Sequence, residues 1–334
     1  MSFNLGIVII GRNEGERLRA CFDSIEQHEL PTVYVDSGST DDSVELAKQY
    51  QATVVELDMS VPFSAARARN MGYQKLLEEK PQTSHIQFID GDCELTKDWI
   101  AAARRAFSGN PRLAVVVGHL LEKFPDKTLY NKLCALEWRS PPGQISDGGF
   151  GGISMIRSSV LVELGGFNPL AIVGEEAELG GRIIIAGDQI EKIEHVMAKH
   201  DANMTTFRQW WKRATRGGQA IGYRFDLGGQ DTPAEVKHEK RRTLFWGFFL
   251  PAIIILGLIP TRGLSLLLSS GYILLGYRVY KGRKRMGDSS QDAKLYAHYN
   301  LLSNFACLVG LVRHNLNKKT GKSGFVDYRN DAAG

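Results

Sequence analysis

A chain of 334 residues, 43% of them hydrophobic, has enough apolar material for about two domains with real cores. Its net charge is only +4, and the excess is local: Lys237–Arg242 and Lys281–Arg285 are basic clusters bordering apolar runs, which suits anionic lipid headgroups and speaks against a nucleic-acid partner. Cys21, Cys93, Cys134 and Cys307 lie far apart with no CxxC pair, so a reduced compartment and no zinc site are expected.

The N-terminus lacks a signal-peptide pattern, because Met1–Asn4 carries no basic residue and Leu5 runs straight into a strand signal. The catalytic part is therefore expected on the cytoplasmic side. Residues 5–10 (LGIVII) are a short β-branched run, as for a strand buried on both faces. Residues 14–28 then place Leu18, Cys21, Phe22 and Ile25 at helical spacing. Thr32–Val35 reads as a second strand, followed by a turn and a helix, capped by Thr40 or Asp41, through Tyr50. Thr53–Leu57 and Phe63–Glu79 repeat the strand and the helix. His85–Ile89 is a fourth strand, stopping at Asp90-Gly91-Asp92. The alternation predicts an α/β fold with a mostly parallel twisted sheet flanked by helices. From Ala114 to Arg182 the pattern loosens, with strands expected at Val115–Gly118 and Ile153–Ile156. Thr205–Gln219 reads as a helix and Gly228–Thr232 as a boundary, giving a catalytic domain over 1–228 and a helical membrane-associated region over 229–334.

In that second region Leu244–Ile259 and Leu264–Tyr277 hold no charge. Each falls short of the roughly 20 residues a comfortable crossing needs, and Pro251 is expected to kink the first. They read as an apolar hairpin over 244–280. Tyr299–Val312 is a third apolar stretch, too short to span, within an amphipathic helix over about 296–314 that precedes a basic tail.

Ligands of α/β sheets bind at the carboxyl ends of strands. Three such ends carry acids here: Gly11-Arg12-Asn13-Glu14, Asp36-Ser37-Gly38-Ser39-Thr40-Asp41-Asp42, and Asp90-Gly91-Asp92. Two carboxylates side by side after HIQFI repel each other unless a cation sits with them, and a hard divalent cation that also holds two phosphates satisfies both. Asp36 is a candidate for base or ribose recognition, whereas Asp41 and Asp42 read better as turn or capping acids.

The set VIIGRNE, VDSGSTDDS, ARARNMG, FIDGDCEL and GEEAELGGR, in this order and spacing, resembles the family 2 glycosyltransferases with the GT-A nucleotide-diphospho-sugar transferase fold, over residues 5 to about 220. The resemblance implies inverting transfer from a nucleoside-diphosphate sugar (a UDP- or GDP-sugar), with Mn²⁺ or Mg²⁺. By matching position it puts Gly11, Asn13, Glu14, Asp36 and Ser37 at the nucleotide, Arg69 and Asn70 near the diphosphate, and Asp90 with Gly91 at the ribose or sugar. Asp92 would ligate the metal, and His200 falls where relatives place a histidine completing the metal or diphosphate site. Glu176 aligns with the acceptor-side base, where the family more often has the shorter Asp, so Glu175 stands in reserve; inverting transfer needs such a carboxylate. Both could instead be the acidic first turn of a helix. Gln209-Trp210-Trp211-Lys212-Arg213 resembles the Gln-x-x-Arg-Trp motif of processive synthases but departs from it at Lys212 and Arg213, which speaks against processivity. Arg213 or Arg216 could steady the diphosphate, and Trp211 could meet the acceptor, although packing suits Trp210 and Trp211 better.

These readings favour a transferase of the inner or plasma membrane acting on a membrane-bound glycan or lipid acceptor, with transfer to a polyprenyl phosphate as the near alternative. Self-association into a homo-oligomer is open. A sugar-phosphate nucleotidyltransferase would need a GxGTRL-like loop where GRNEGERL stands, and a dinucleotide oxidoreductase a GxGxxG.

Overall fold

A computed structural model describes residues 3–61, 63–171, 173–229 and 232–320. The chain divides into two compact units, Met1–Pro125 with Glu137–Asn203, and Asp126–Leu136 with Met204–Gly334. The division falls ahead of the helix that the sequence assigned to the catalytic domain. Of the expected boundary at 228–232, residues 230 and 231 lie outside the described residues, as does the basic tail beyond 320.

In the first unit β1 (Leu5–Gly11), α1 (Glu16–Glu26), β2 (Thr32–Asp36), α2 (Ser43–Gln49), β3 (Thr53–Glu56), α3 (Ala65–Glu79) and β4 (His85–Asp90) alternate as the sequence pattern requires. Their strands are parallel in the order β3-β2-β1-β4. Ile7, Val8 and Ile9 of β1 are wholly buried, the consequence of helices covering both faces of a central parallel strand. Register matters most for function: Gly11 lies beside Asp36, and Ile10 beside Asp90, so the three acidic strand ends meet at one edge.

Beyond β4 the sheet is mixed rather than mostly parallel. It continues through β5 (Cys93–Leu95), α4 (Trp99–Gly109), β6 (Leu113–Glu122), β7 (Gly143–Gln144), β8 (Ser154–Arg157), α6 (Ser158–Leu164), α7 (Glu175–Ile185) and β9 (Gln189–His200). β8 is antiparallel to β4 and β6, β9 is parallel to β6, and β5 and β7 are antiparallel to β9. Where crossover helices are missing, neighbouring strands reverse, and the strict βα alternation that signals a parallel sheet is lost.

The second unit is helical: α5 (Leu129–Glu137, all but its last residue), α8 (Phe207–Gly228), α9 (Ala234–Leu244), α10 (Leu250–Gly257), α11 (Ser270–Arg285) and α12 (Ser290–Thr320). Thr206 and Gln209 form a capping box at the start of α8. The expected hairpin is present. Ser265 Oγ donates to the Ile254 carbonyl at 2.8 Å and Tyr272 Oη to the Trp246 carbonyl at 2.5 Å, tying the limbs together. Pro251 does not break its limb. A π-turn, Phe245–Phe249, precedes it and α10 follows without interruption, a wider turn easing the missing N–H. The third apolar stretch is longer than its charge-free core: α12 runs 31 residues and is, among the described residues, the one helix long and apolar enough to cross a membrane by length and composition.

α12 nevertheless packs along α8 at backbone contact distance. A Cβ on Gly218 would stand 2.0 Å from the Cys307 carbonyl oxygen, and one on Gly310 2.0 Å from that of Thr215, whereas one on Gly217 would meet nothing within 4 Å. Adjacent glycines should therefore respond oppositely in thermal unfolding. Gly217→Ala should stabilise by roughly 0.5–1 kcal/mol through helix propensity. Gly218→Ala should destabilise by roughly 1–3 kcal/mol through overpacking.

Candidate active site

The first two strand-end loops are stitched together by backbone-directed side chains. Asn13, at φ 55°, accepts the Thr40 N–H at 2.7 Å through Oδ1, while its own N–H donates to Ser39 Oγ at 3.0 Å. Asp41 accepts the Gly15 N–H at 3.2 Å and the Ser43 hydroxyl at 2.6 Å, so it acts as the turn acid expected of it. Asp36 shares that duty. Its Oδ2 accepts the N–H groups of Gly38 (2.9 Å) and Ser39 (2.8 Å), and its Oδ1 the hydroxyl of buried Tyr34 (3.1 Å). The acid that the sequence set at the base is first the acid that shapes the loop. Ser37 N–H donates to the Gly11 carbonyl at 3.0 Å. Glu14 is buried behind this edge with Arg17 at 2.8 Å. Gly11 and Gly91 leave it room, since a Cβ on either would come within 3.2–3.3 Å of its Cγ.

At the end of β4, Asp92 is 6% exposed, and its Oδ2 stands 3.2 Å from His200 Nε2. β5 and β9 make this meeting, because Cys93 pairs with His200 across the antiparallel ladder. Cys93 Sγ lies 3.3 Å from Asp92 Oδ1, and Asp92, Cys93 and His200 form a group of potential metal ligands within 4.8 Å of one another. Trp138 stacks on the His200 ring at 4.8 Å and 24°. Sequence reasoning passed over Trp138, which carries no motif; only the fold brings it to the histidine.

Asp90 points elsewhere. Arg69, from α3, donates Nη2 to Asp90 Oδ1 at 3.0 Å and Nη1 to Glu175 Oε1 at 2.6 Å. Its side chain is 4% exposed and lies over the Phe167 ring at 5.7 Å. The guanidinium expected at the diphosphate is thus engaged by two acids. Asn70 is engaged as well: its amide donates to the Phe167 carbonyl at 2.7 Å and accepts the Phe167 N–H at 2.9 Å. Glu175 and Glu176 open α7 after Gly174, which sits in the left-handed region at φ 74°. Burial and the neighbouring Glu175 carboxylate push Glu176 up to about 7, against a weaker opposing pull from Arg69.

The first unit therefore gathers Gly11, Asn13, Glu14, Asp36, Ser37, Arg69, Asn70, Asp90, Gly91, Asp92, Glu175, Glu176 and His200. Trp211, Arg213 and Arg216 lie on α8 of the second unit. There Trp210 is buried edge-on against Tyr299 at 4.8 Å and Trp211 lies 5.8 Å from the Phe207 ring, so both tryptophans pack.

A mixed α/β sheet flanked by helices, with its acidic strand ends in register at one edge, is the GT-A architecture. Residues 6–161 match the family described as Glycosyl transferase family 2. The match covers just under half of the chain, and over those residues the chain is similar to the glycosyltransferases of that family. No curated protein matches it. Among solved structures it is similar to the mannosyltransferase PcManGT from Pyrobaculum calidifontis, in complex with GDP-Man and Mn²⁺, at 15% identity and TM-score 0.59 over 94% of this chain and 88% of that one. Weaker likenesses are S. aureus TarS (10%, TM-score 0.49, 96% and 92% covered) and Mycobacterium tuberculosis glucosyl-3-phosphoglycerate synthase (16%, TM-score 0.45, 66% and 78%).

The raised Glu176 has a consequence for stability with a definite sign. Between its ordinary value of 4.5 and about 7 the native state holds a proton that the unfolded chain has released, so stability falls as pH rises through this window. Glu176→Gln should flatten that slope and stabilise the chain at pH 8 by about 2–3 kcal/mol, read from denaturant midpoints at pH 5 and pH 8.

Proposed function

We propose that this chain transfers a sugar, with inversion, from a nucleoside-diphosphate sugar to a hydroxyl of a membrane-associated glycan or lipid-linked acceptor. The observation that carries the reading is that Arg69 joins Asp90, an acid of the donor edge, to the Glu175-Glu176 pair of α7. Donor-side and acceptor-side carboxylates are thereby fixed against each other. The loops stitched by Asn13, Asp36 and Asp41 form the nucleotide edge, and Asp90 faces the ribose or sugar. A carboxylate oxygen and an imidazole nitrogen 3.2 Å apart suit a hard divalent cation, so Asp92 and His200 would hold Mn²⁺ or Mg²⁺. When bound, such an ion neutralises the departing diphosphate. Glu176, held near neutrality, takes the acceptor's hydroxyl proton as the new bond forms. That favours a hydroxyl over a polyprenyl phosphate, whose anionic oxygen needs no base. GDP-mannose with Mn²⁺, the pair bound by the Pyrobaculum enzyme, is the first donor to assay.

Asp92→Ala should lower transfer by about 10²–10³-fold while circular dichroism and the unfolding midpoint stay near wild type. Near-normal turnover in that variant at saturating Mn²⁺ would refute the metal assignment.

Membrane attachment rests on the hairpin. Leu256 (78% exposed), Ile259 (90%), Leu267 (70%) and Ile273 (73%) stand in solvent, a contiguous apolar surface unlike that of a soluble unit. Arg241, Arg242, Lys281 and Arg285 flank it, against Arg262 alone at the turn, an asymmetry that supports both ends lying on the cytoplasmic face of the inner or plasma membrane. The purified chain should float with anionic liposomes and resist high-salt wash. Leu256→Asp with Leu267→Asp, each costing roughly 2.5–3.5 kcal/mol inside the bilayer, should leave it in the soluble fraction. Release of the unaltered chain by salt alone would reduce the hairpin to a surface contact.

A further inference from the structure

Arg69 has too many acids to be a diphosphate ligand. Its Nη1 and Nη2 are committed to Glu175 at 2.6 Å and Asp90 at 3.0 Å, and its Nε is buried without a hydrogen-bond partner. No rotation frees it cheaply. Gly152 lies against the guanidinium so closely that a Cβ there would be 2.4 Å from Nη2, and the Phe167 ring lies 5.7 Å from it. Phe167 is itself pinned by both hydrogen bonds from Asn70. Removing this cation would leave the buried Glu175 carboxylate uncompensated beside Asp90, a costly arrangement.

We infer that Arg69 is a positioning residue that assigns the base: by holding Glu175 as its ion-pair partner it leaves Glu176 as the acid free to accept the acceptor's proton, and by holding Asp90 it fixes that choice relative to the donor edge. This rests on Glu176 being the base. The charged groups that act on Glu176 are Glu175 on its own helix and Arg69 from α3, with Asp90 of β4 behind the arginine. Glu178, two residues on, is taken by Arg182, whose guanidinium also donates to the carbonyl of Leu164 at the end of α6 and to that of Gly166 beyond it. Asp147, in the loop against α7, accepts the Gly149 N–H, and Lys192 on β9 donates to Ser140.

The test is a charge-balance series on the full-length chain: Arg69→Met, Glu175→Gln and the double variant, each assayed for kcat and donor KM against pH, with unfolding midpoints recorded. Arg69→Met removes the cation that favours ionised Glu176, so the acid limb of kcat should move up by roughly one unit or more. Glu175→Gln removes the repelling carboxylate and should move the limb down. The double variant removes both charges together, so its limb should return near that of wild type and its kcat should recover at least tenfold over Arg69→Met. A donor KM raised in Arg69→Met and unrelieved in the double variant would overturn the inference and return Arg69 to the diphosphate. Glu176→Gln separates the two claims. If it turns over normally, the base assignment itself is wrong; if it is inactive while the double variant shows no rescue, only the role of Arg69 falls.

Discussion

Carboxylates crowd the carboxyl edge of this sheet, and one buried guanidinium keeps them in place. Arg69 can occupy its position only because the neighbourhood has been cut to fit: Gly152 has no side chain, Phe167 offers a ring face, and Asn70 fixes the Phe167 backbone. Attraction in so dry a place exceeds that of a surface ion pair, but so does the cost of desolvation. Such a pair is weak evidence for stability and stronger evidence for specificity, because it selects one arrangement of Asp90, Glu175 and Glu176 over its rivals.

A division of labour follows among acids that look alike in sequence. Asp36 and Asp41 accept N–H groups of the loops, which fixes the shape of that edge. Asp90 and Glu175 are neutralised by Arg69. Asp92 faces a histidine, whose ring nitrogen could ligate a metal and is not a permanent cation. Glu176 meets more repulsion and burial than attraction, so its proton is held near pH 7. Environment separates these roles, and a proton acceptor poised near working pH is where general-base catalysis is most effective.

How far the residues announce this depends on the range of the interaction. β1 to β4 were readable because apolar runs of period-free burial alternate with helical spacing, and both signals are local. The acids at Asp90, Asp92 and Glu176 were readable from motif order. Missing were β9, whose Gln189–His200 run mixes Glu, Lys and His with its apolar residues, and its antiparallel pairings with β5 and β7. His200 could be suspected, but its contact with Asp92 is created by the β5–β9 register. The commitment of Arg69 and Asn70 is a tertiary fact of the same kind. ARARNMG fixes their place on a helix, while Glu175 and Phe167, which hold them, come from residues more than 90 positions away.

The second unit shows the same limit in apolar form. Composition alone gives Leu244–Ile259, Leu264–Tyr277 and Tyr299–Val312 similar weight, yet their surroundings differ. α12 meets α8 through Gly218 and Gly310, where backbones touch and no larger residue fits, a close helix seam that small residues permit. The hairpin tip has no such seam. Its limbs bond to each other through Ser265 and Tyr272, which satisfies polar groups internally, and it turns isoleucines and leucines outward. A helix pair that closes its own hydrogen bonds and exposes its apolar side chains fits hydrocarbon better than water. The helix that meets the length rule packs one face along a neighbour, and the short hairpin presents the more exposed apolar side chains.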